Sequence, residues 1–427
     1  QSTRGGPTVS FEEALFQGLA PDGGLHVPRG IPTLEAPRGG EPDPSFTETA
    51  RWAAHALLGD ALEPDILDAV VTDALDFPVP LVEVEPGVHV LELFHGPSLA
   101  FKDVGARFMA RAMAALSADD TPRTVLVATS GDTGGAVAAA FHGVEPFRVV
   151  ALFPRGGISE RQRRQMTTLG GNVTAVAVDG TFDDCQRLAK GAFADAELRA
   201  RCGLTSANSI NIGRLVPQAF YHLHAARLLG WDADPATFVV PSGNLGNLCA
   251  GLLARQAGMP TRGFVAATNR NRVFPDYLAS GTFTPAPSEA TVSNAMDVGD
   301  PSNLERIRWL FHDDVDELRR VVRGAWVSDD DTRACIGRVA RRTGYVLDPH
   351  TAVGWRAMEL SRAGTEGPFV VLATAHPGKF PEVVEQATGL PVEIPPTLAA
   401  RLTGTEHIEY IGARANALRD LLLNGTE

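Results

Sequence analysis

From residue 123 onward, short apolar runs alternate with amphipathic stretches. Thr124–Thr129, Phe147–Phe153, Val173–Val178, Phe238–Pro241, Phe264–Thr268 and Phe369–Thr374 are each four to seven residues long and nearly all apolar. Runs of that length and composition are what strands buried on both faces look like. Between them, apolar positions recur at helical spacing over Ala136–Phe141, Ile158–Leu169, Phe182–Phe193, Leu215–Leu229 and Leu248–Ala257. Strand, helix, strand at this spacing is βαβ grammar, and it predicts an α/β fold with open parallel sheets. Residues 275–303 read as a loop-rich insertion and Leu304–Arg342 as mostly helical. Before residue 86, helical patterns such as Ala61–Leu75 mix with loops, and Pro32–Ser45 is turn-rich and expected on the surface. No internal repeat stands out.

Composition narrows the function classes. A hydrophobic content of 44% over 427 residues suits a globular protein of two or three domains. A net charge of -13 argues against nucleic acid as a partner. It leaves room for a small anionic substrate met by a few local arginines. No apolar stretch is long enough for a bilayer span, and Gln1–Gly6 shows no signal-peptide pattern, so a cytoplasmic protein with no membrane role is expected. The four cysteines are widely spaced and read as buried free thiols, neither a disulfide framework nor a metal site.

Lysine is nearly absent. Lys102, Lys190 and Lys379 are the only ones, and arginine supplies the rest of the 38 basic residues. Arginine replaces lysine wherever charge alone is wanted, but it does not become a neutral amine able to form an imine. Lys102 follows His95-Gly96-Pro97-Ser98-Leu99-Ala100-Phe101 and opens an amphipathic run, Val104–Leu116. A loop-to-helix junction lowers an ammonium pKa and favours the reactive amine.

Loops at strand ends supply the other candidates. Ser242-Gly243-Asn244-Leu245-Gly246-Asn247 is a possible phosphate cradle at a helix start. It lacks both the Walker lysine and GxGxxG, which argues against a P-loop or a nicotinamide site; a glycine turn with no ligand explains it equally well. Ser130-Gly131-Asp132-Thr133-Gly134 suits a carboxylate, or is an ordinary helix cap. Asn208–Arg214 offers Ser209 and Arg214 to a second phosphate, or is a cap beside a surface arginine. Thr374-Ala375-His376-Pro377-Gly378-Lys379 places a hydroxyl at the end of a buried strand. An imine-forming lysine, a phosphate cradle, a carboxylate loop and a strand-end hydroxyl together suggest pyridoxal 5'-phosphate (PLP). A neutral hydroxyl at the ring nitrogen suits elimination and replacement better than transamination.

On these residues the chain resembles the threonine synthase family of fold type II PLP enzymes, in its longer bacterial and fungal-type branch. The resemblance runs over nearly the whole length. It rests on Ser2-Thr3-Arg4, Asp22-Gly23-Gly24-Leu25, His95–Asp103, Gln165-Met166-Thr167-Thr168, Ala267-Thr268-Asn269, Ser293–Asp297 and Thr374–Pro377 with Lys379-Phe380. It implies a tryptophan synthase β-like fold of two open parallel-sheet domains with helices on both faces. The division expected is an N-terminal segment 1–85, a large PLP-binding domain from 86–123 and 216–427, and a small α/β domain 124–215. It implies that Lys102 carries PLP and acts as first base. Gly243, Asn244, Leu245, Gly246 and Asn247 would hold the cofactor phosphate, and Thr374 would face the ring nitrogen. Ser130, Gly131, Asp132, Thr133 and Gly134 would bind the substrate carboxylate, and Ser209, Asn211 and Arg214 its phosphate. The implied activity is that of a carbon–oxygen lyase acting on phosphate. It converts O-phospho-L-homoserine and water to L-threonine and phosphate by γ-elimination and β-hydration, in a monomer or homodimer. A related phospho-lyase releasing 2-oxobutyrate, a PLP-binding protein without turnover, and a nucleotide-binding α/β protein are the rival readings. Asp132 departs from the wider pattern, in which many relatives place asparagine near the cofactor's phenolic oxygen. An acid there repels that oxygen, so Asp132 is expected to turn away or to share a proton.

Overall fold

The computed structural model describes residues 1–37, 43–59, 61–117, 121–129, 131–363 and 367–424. Residues 38–42 of the turn-rich Pro32–Ser45 stretch, and Ser130 of the carboxylate loop, lie outside the described residues.

Eleven strands are described: β1 Leu81–Glu85, β2 Val88–Glu92, β3 Arg123–Ala128, β4 Phe147–Pro154, β5 Val173–Asp179, β6 Leu204–Ser206, β7 Thr237–Pro241, β8 Gly263–Thr268, β9 Val322–Trp326, β10 Phe369–Ala373 and β11 Glu409–Gly412. They form a six-stranded sheet in the order β1-β2-β10-β7-β8-β9 and a five-stranded sheet in the order β11-β5-β4-β3-β6. All pairings are parallel except the β1–β2 hairpin. The central strands β7, β8 and β10 are buried at every position, as a sheet covered on both faces requires.

The order of the strands locates the crevices. From β3 the chain moves to β4 on one side, and β6 returns to the other. From β7 it moves to β8 on one side, and β10 returns to the other. Each is a topological switch point, where the loops beyond the strand ends diverge and leave a ligand-sized gap. Past the ends of β3, β6, β7 and β10 lie residues 129 and 131–134, 207–214, 242–247 and 374–379, the first three segments running into helix starts.

Several expectations need correction. Strand β1, expected in the N-terminal segment, pairs with β2 and belongs to the six-stranded sheet. Strand β11, expected in the large domain, pairs with β5 in the five-stranded sheet, and helix Ala415–Asn424 buries Leu418 and Leu422 in that sheet's apolar cluster. The expected helix Leu215–Leu229 divides into Ile212–Leu215 and Gln218–Leu229, with Pro217 at the junction, where it removes a backbone donor. The insertion expected at 275–303 carries most of helix Val273–Ser280, and β9 interrupts the helical stretch expected over Leu304–Arg342. Strands β9 and β11 are mostly exposed edges and lack the apolar run that marks a buried strand.

Candidate active site

Lys102 is the first residue of helix Lys102–Leu116. The loop before it is stitched to the end of β10. Phe101 N–H donates to the Thr374 carbonyl at 2.9 Å, His376 N–H donates to the Leu99 carbonyl at 3.1 Å, and Ala100 bridges Ala375. Leu99 takes φ of 57° to make the turn. The Lys102 amine is set beside the Phe101 ring, 5.5 Å from its centroid, and makes no hydrogen bond or ion pair with the described residues. Burial lowers its pKa to about 8; Asp132 opposes the shift, and Lys379 and Arg214 add to it. The amine is therefore in substantial part neutral near physiological pH, as imine chemistry needs.

The loop after β7 turns through Leu245 at φ 59° into helix Gly246–Gln256, whose start carries no side-chain cap. A Cβ at Gly243 would lie 2.9 Å from Met296 Cα and 3.0 Å from the Ala295 carbonyl, so the loop runs hard against that segment. Asn247 is buried, and its Nδ2 finds no partner. Its Oδ1 accepts from His222 Nε2 at 3.0 Å, which leaves the amide N–H atoms for something else. Uncapped helix N–H groups, an orphaned amide donor and a buried amine form the donor set that a phosphorylated aldehyde requires. The residues fit PLP.

The loop after β6 lies against the cradle. Asn244 Nδ2 donates to Ser209 Oγ at 2.5 Å, and Asn303 Nδ2 donates to the Asn244 carbonyl at 3.0 Å. Arg306, fully buried, donates to the carbonyls of Ser209, Ile210 and His26 and so fixes the loop from behind. Its neighbour Glu305 takes a bidentate bond from Arg4 and the Thr3 hydroxyl, which gives the N-terminal Ser2-Thr3-Arg4 motif a bracing role.

Arg214 is 3% exposed and packs on Gly105, one turn along the Lys102 helix; a Cβ there would lie 3.1 Å from Arg214 Nε. Its Nη1 donates to the Ala207 carbonyl, its Nε has no partner, and no carboxylate pairs with it among the described residues. Burial works against its charge, with Asp103 opposing, yet a guanidinium stays protonated. A buried cation with a free donor is a place for an anion. Asn211, expected as a phosphate ligand beside it, is committed elsewhere. Its Nδ2 donates to the carbonyls of Leu15 and Ser206, and its Oδ1 accepts from Gly213 N–H as a helix cap. Both of its amide hydrogens are thus used within the chain.

The loop after β3 opens helix Asp132–Phe141, again without a side-chain cap. Gly131 has φ 143°, and a Cβ there would lie 2.5 Å from Gln162 Nε2. Asp132 pairs with Lys379 at 2.6 Å, and Gln162 Nε2 donates to it at 3.1 Å. Burial works against the carboxylate, but Lys379, then Lys102 and His350, hold it well below the ordinary range. Gln162 carries no distinct motif; Lys379 stood in the Thr374–Phe380 signature and was one of three surviving lysines, but neither signal pointed to Asp132. A surface depression lined by Pro122, Glu145, Arg148 and Asn172 lies at the opposite ends of β3–β5 and gathers none of these groups.

The comparisons agree with this geometry. Residues 77–375 match the model of the pyridoxal-phosphate dependent enzyme family. Residues 1–75 match the threonine synthase N terminus, and 351–422 the threonine synthase C-terminal region. The threonine synthase of Escherichia coli K12 is 43% identical over 419 residues, 97% of each chain. The crystal structure of threonine synthase from Escherichia coli superposes with a TM-score of 0.90 at 42% identity, covering 98% of this chain and 97% of that one. PLP-bound threonine synthase from Brucella melitensis superposes with a TM-score of 0.92 at 35% identity, covering 100% and 99%.

Proposed function

The chain belongs to the threonine synthase family of PLP-dependent enzymes, and from that premise we propose how its own residues turn O-phospho-L-homoserine and water into L-threonine and phosphate. PLP, when bound, supplies an electron sink for the pair left at the substrate α-carbon after its proton is removed. Lys102 would hold it covalently, the Gly243–Asn247 loop would take its phosphate, and Thr374 would face its ring nitrogen.

The single observation that carries this reading is the packing of Arg214 on Gly105, one helical turn from Lys102, buried and without a carboxylate partner among the described residues. Lys102 offers the α-proton an amine whose pKa burial lowers to about 8. Arg214 offers an unspent cation to the phosphate leaving from the γ-carbon, and the Ser209 hydroxyl comes from the same segment after β6. The N–H groups of Asp132 and Thr133, with the Thr133 hydroxyl, would orient the α-carboxylate, while those of Gly131 and Gly134 are held by the Thr129 hydroxyl. Loops from both sheets meet here, through Gln165 Nε2 on the Ser98 carbonyl at 2.9 Å and Asn294 Nδ2 on Gln162 Oε1 at 3.1 Å. Their closure would keep water from the substrate until the β-carbon is ready for it. Four free, buried thiols suit a reducing compartment such as the cytoplasm.

The deciding experiment follows phosphate and amino acid together when the PLP-loaded protein meets O-phospho-L-homoserine. Threonine equal to phosphate supports the reading. Phosphate accompanied by 2-oxobutyrate moves the chain to a lyase, and no phosphate removes the role given to Arg214.

A further inference from the structure

Lys379 is fully buried, and it lies across the cleft from its partner. It follows β10 of the six-stranded sheet, whereas Asp132 follows β3 of the five-stranded one. Its Nζ is 2.6 Å from Asp132 Oδ1 and 2.9 Å from the Ser98 carbonyl. Gln165 meets the same carbonyl, and Arg161 donates to the Gly378 carbonyl, so polar contacts from Asp132, Arg161 and Gln165 converge on one short turn and one loop. A salt bridge buried this deeply is a poor source of stability, because desolvating two ions cancels most of the attraction. Its position suggests another use. Asp132 lies inside the loop assigned to the substrate's α-carboxylate, where a bare carboxylate would repel the ligand.

We infer that Lys379 is a specificity-determining positioning residue. With Asp132 it forms one neutral unit across the cleft, which lets an acid occupy an anion-binding loop and holds that loop against the Ser98 turn. The inference rests on the reading of Gly131–Gly134 as the carboxylate site. Charge then governs substrate binding at this loop, and the two partners are not equivalent. Losing the cation leaves an anion facing an anion. Losing the acid leaves the loop more positive than before.

The test uses the PLP-loaded full-length protein and three variants: Lys379→Met, Asp132→Asn, and the two combined. For each, kcat and KM for O-phospho-L-homoserine are measured, together with the rise in melting temperature produced by L-threonine. Lys379→Met is expected to raise KM by at least about tenfold, a modest effect for a like charge beside a buried carboxylate. Asp132→Asn, which leaves a cation facing the ligand, is expected to lower KM by about threefold or more, and the combined variant, its charges again balanced, to fall between the two single variants. The threonine-induced stabilisation should follow the same order. A mere brace predicts otherwise: both single variants worsen alike, the combination is no better, and the inference falls. If Lys379→Met does not fold, the combined variant still decides, because a KM far above the parent's overturns the charge argument. Thr133→Val separates this failure from failure of the site reading. If it leaves KM unchanged, the loop loses its hydroxyl as a carboxylate ligand, and the inference falls with that reading of the site. If it raises KM while Lys379→Met does not, the loop stands and the role of Lys379 falls.

Discussion

Asn244 Nδ2 donates to Ser209 Oγ at 2.5 Å, and so joins the loop that would hold the cofactor's phosphate to the loop that would hold the substrate's. Asn244 Oδ1 also accepts from Ser302 N–H at 2.5 Å, so both ends of one amide fix the junction. Asn244→Ala releases both. A lost pair of hydrogen bonds is worth about 1–3 kcal/mol, or roughly 5- to 150-fold in a binding constant. Cofactor affinity and substrate KM should weaken together, and a cofactor titration beside a kinetic series reads the two. A change in only one of them would mean that the loops act separately.

Lys102→Ala should abolish turnover and covalent retention of the cofactor alike. Borohydride reduction of the loaded parent, followed by mass spectrometry of the intact protein, should show the cofactor's added mass. The variant should show none, while its melting temperature stays near the parent's, because the amine makes no polar contact with the described residues. Retention of the label would move the attachment to Lys190 or Lys379.

Asp103 gives a prediction in pH. Its Oδ2 accepts from Ser98 N–H at 2.8 Å, whereas its buried Oδ1 has no partner. Burial pushes its carboxyl up to about 6, only partly offset by the Ser98 contact. The folded state therefore holds this proton more tightly than the unfolded chain. Between about pH 4 and pH 6 the folded form binds more protons, so this group's contribution to stability is full at the acid end and is lost as pH rises. Asp103→Asn keeps an acceptor for Ser98 and removes the titration. Relative to the parent, the variant should gain stability as pH rises from about 4 to 6, at up to about 1.4 kcal/mol per pH unit. Urea unfolding of both proteins at three pH values measures it. A constant difference would mean that Asp103 titrates alike in both states.

The loops after β3, β7 and β10 were legible because each follows an apolar run that had to be a buried strand; β6 is three residues long, two of them polar, and left no such run. Lys102 was legible because arginine has replaced lysine almost everywhere else. The capping role of Asn211 was not legible, because a polar residue in a polar loop looks the same whether it caps a helix or binds a ligand; its bonds to Leu15, Ser206 and Gly213 show the cap. The Asp132–Lys379 pair was hidden because its members are far apart in the chain and follow strands of different sheets. Strands β9 and β11 were missed because exposed edge strands need no apolar run.

Arg214 should trade stability for binding. Its charge is buried with one carbonyl contact and an orphaned Nε, which is costly while no anion is present. Arg214→Met keeps much of the side chain's volume and removes the charge. Two opposite effects are expected. Without phosphate the variant should be as stable as the parent or more so, by about 1–3 kcal/mol, because a buried ion has gone. With phosphate the parent should gain stability as the logarithm of phosphate over its dissociation constant, and the variant should gain little. Substrate KM in the variant should rise by roughly a hundredfold, the scale on which a buried charge–phosphate contact is lost. Melting curves across a phosphate series, alongside the kinetics, separate the two effects. A variant that is destabilised and still responds to phosphate would show that Arg214 serves the Lys102 helix and that the phosphate is held elsewhere.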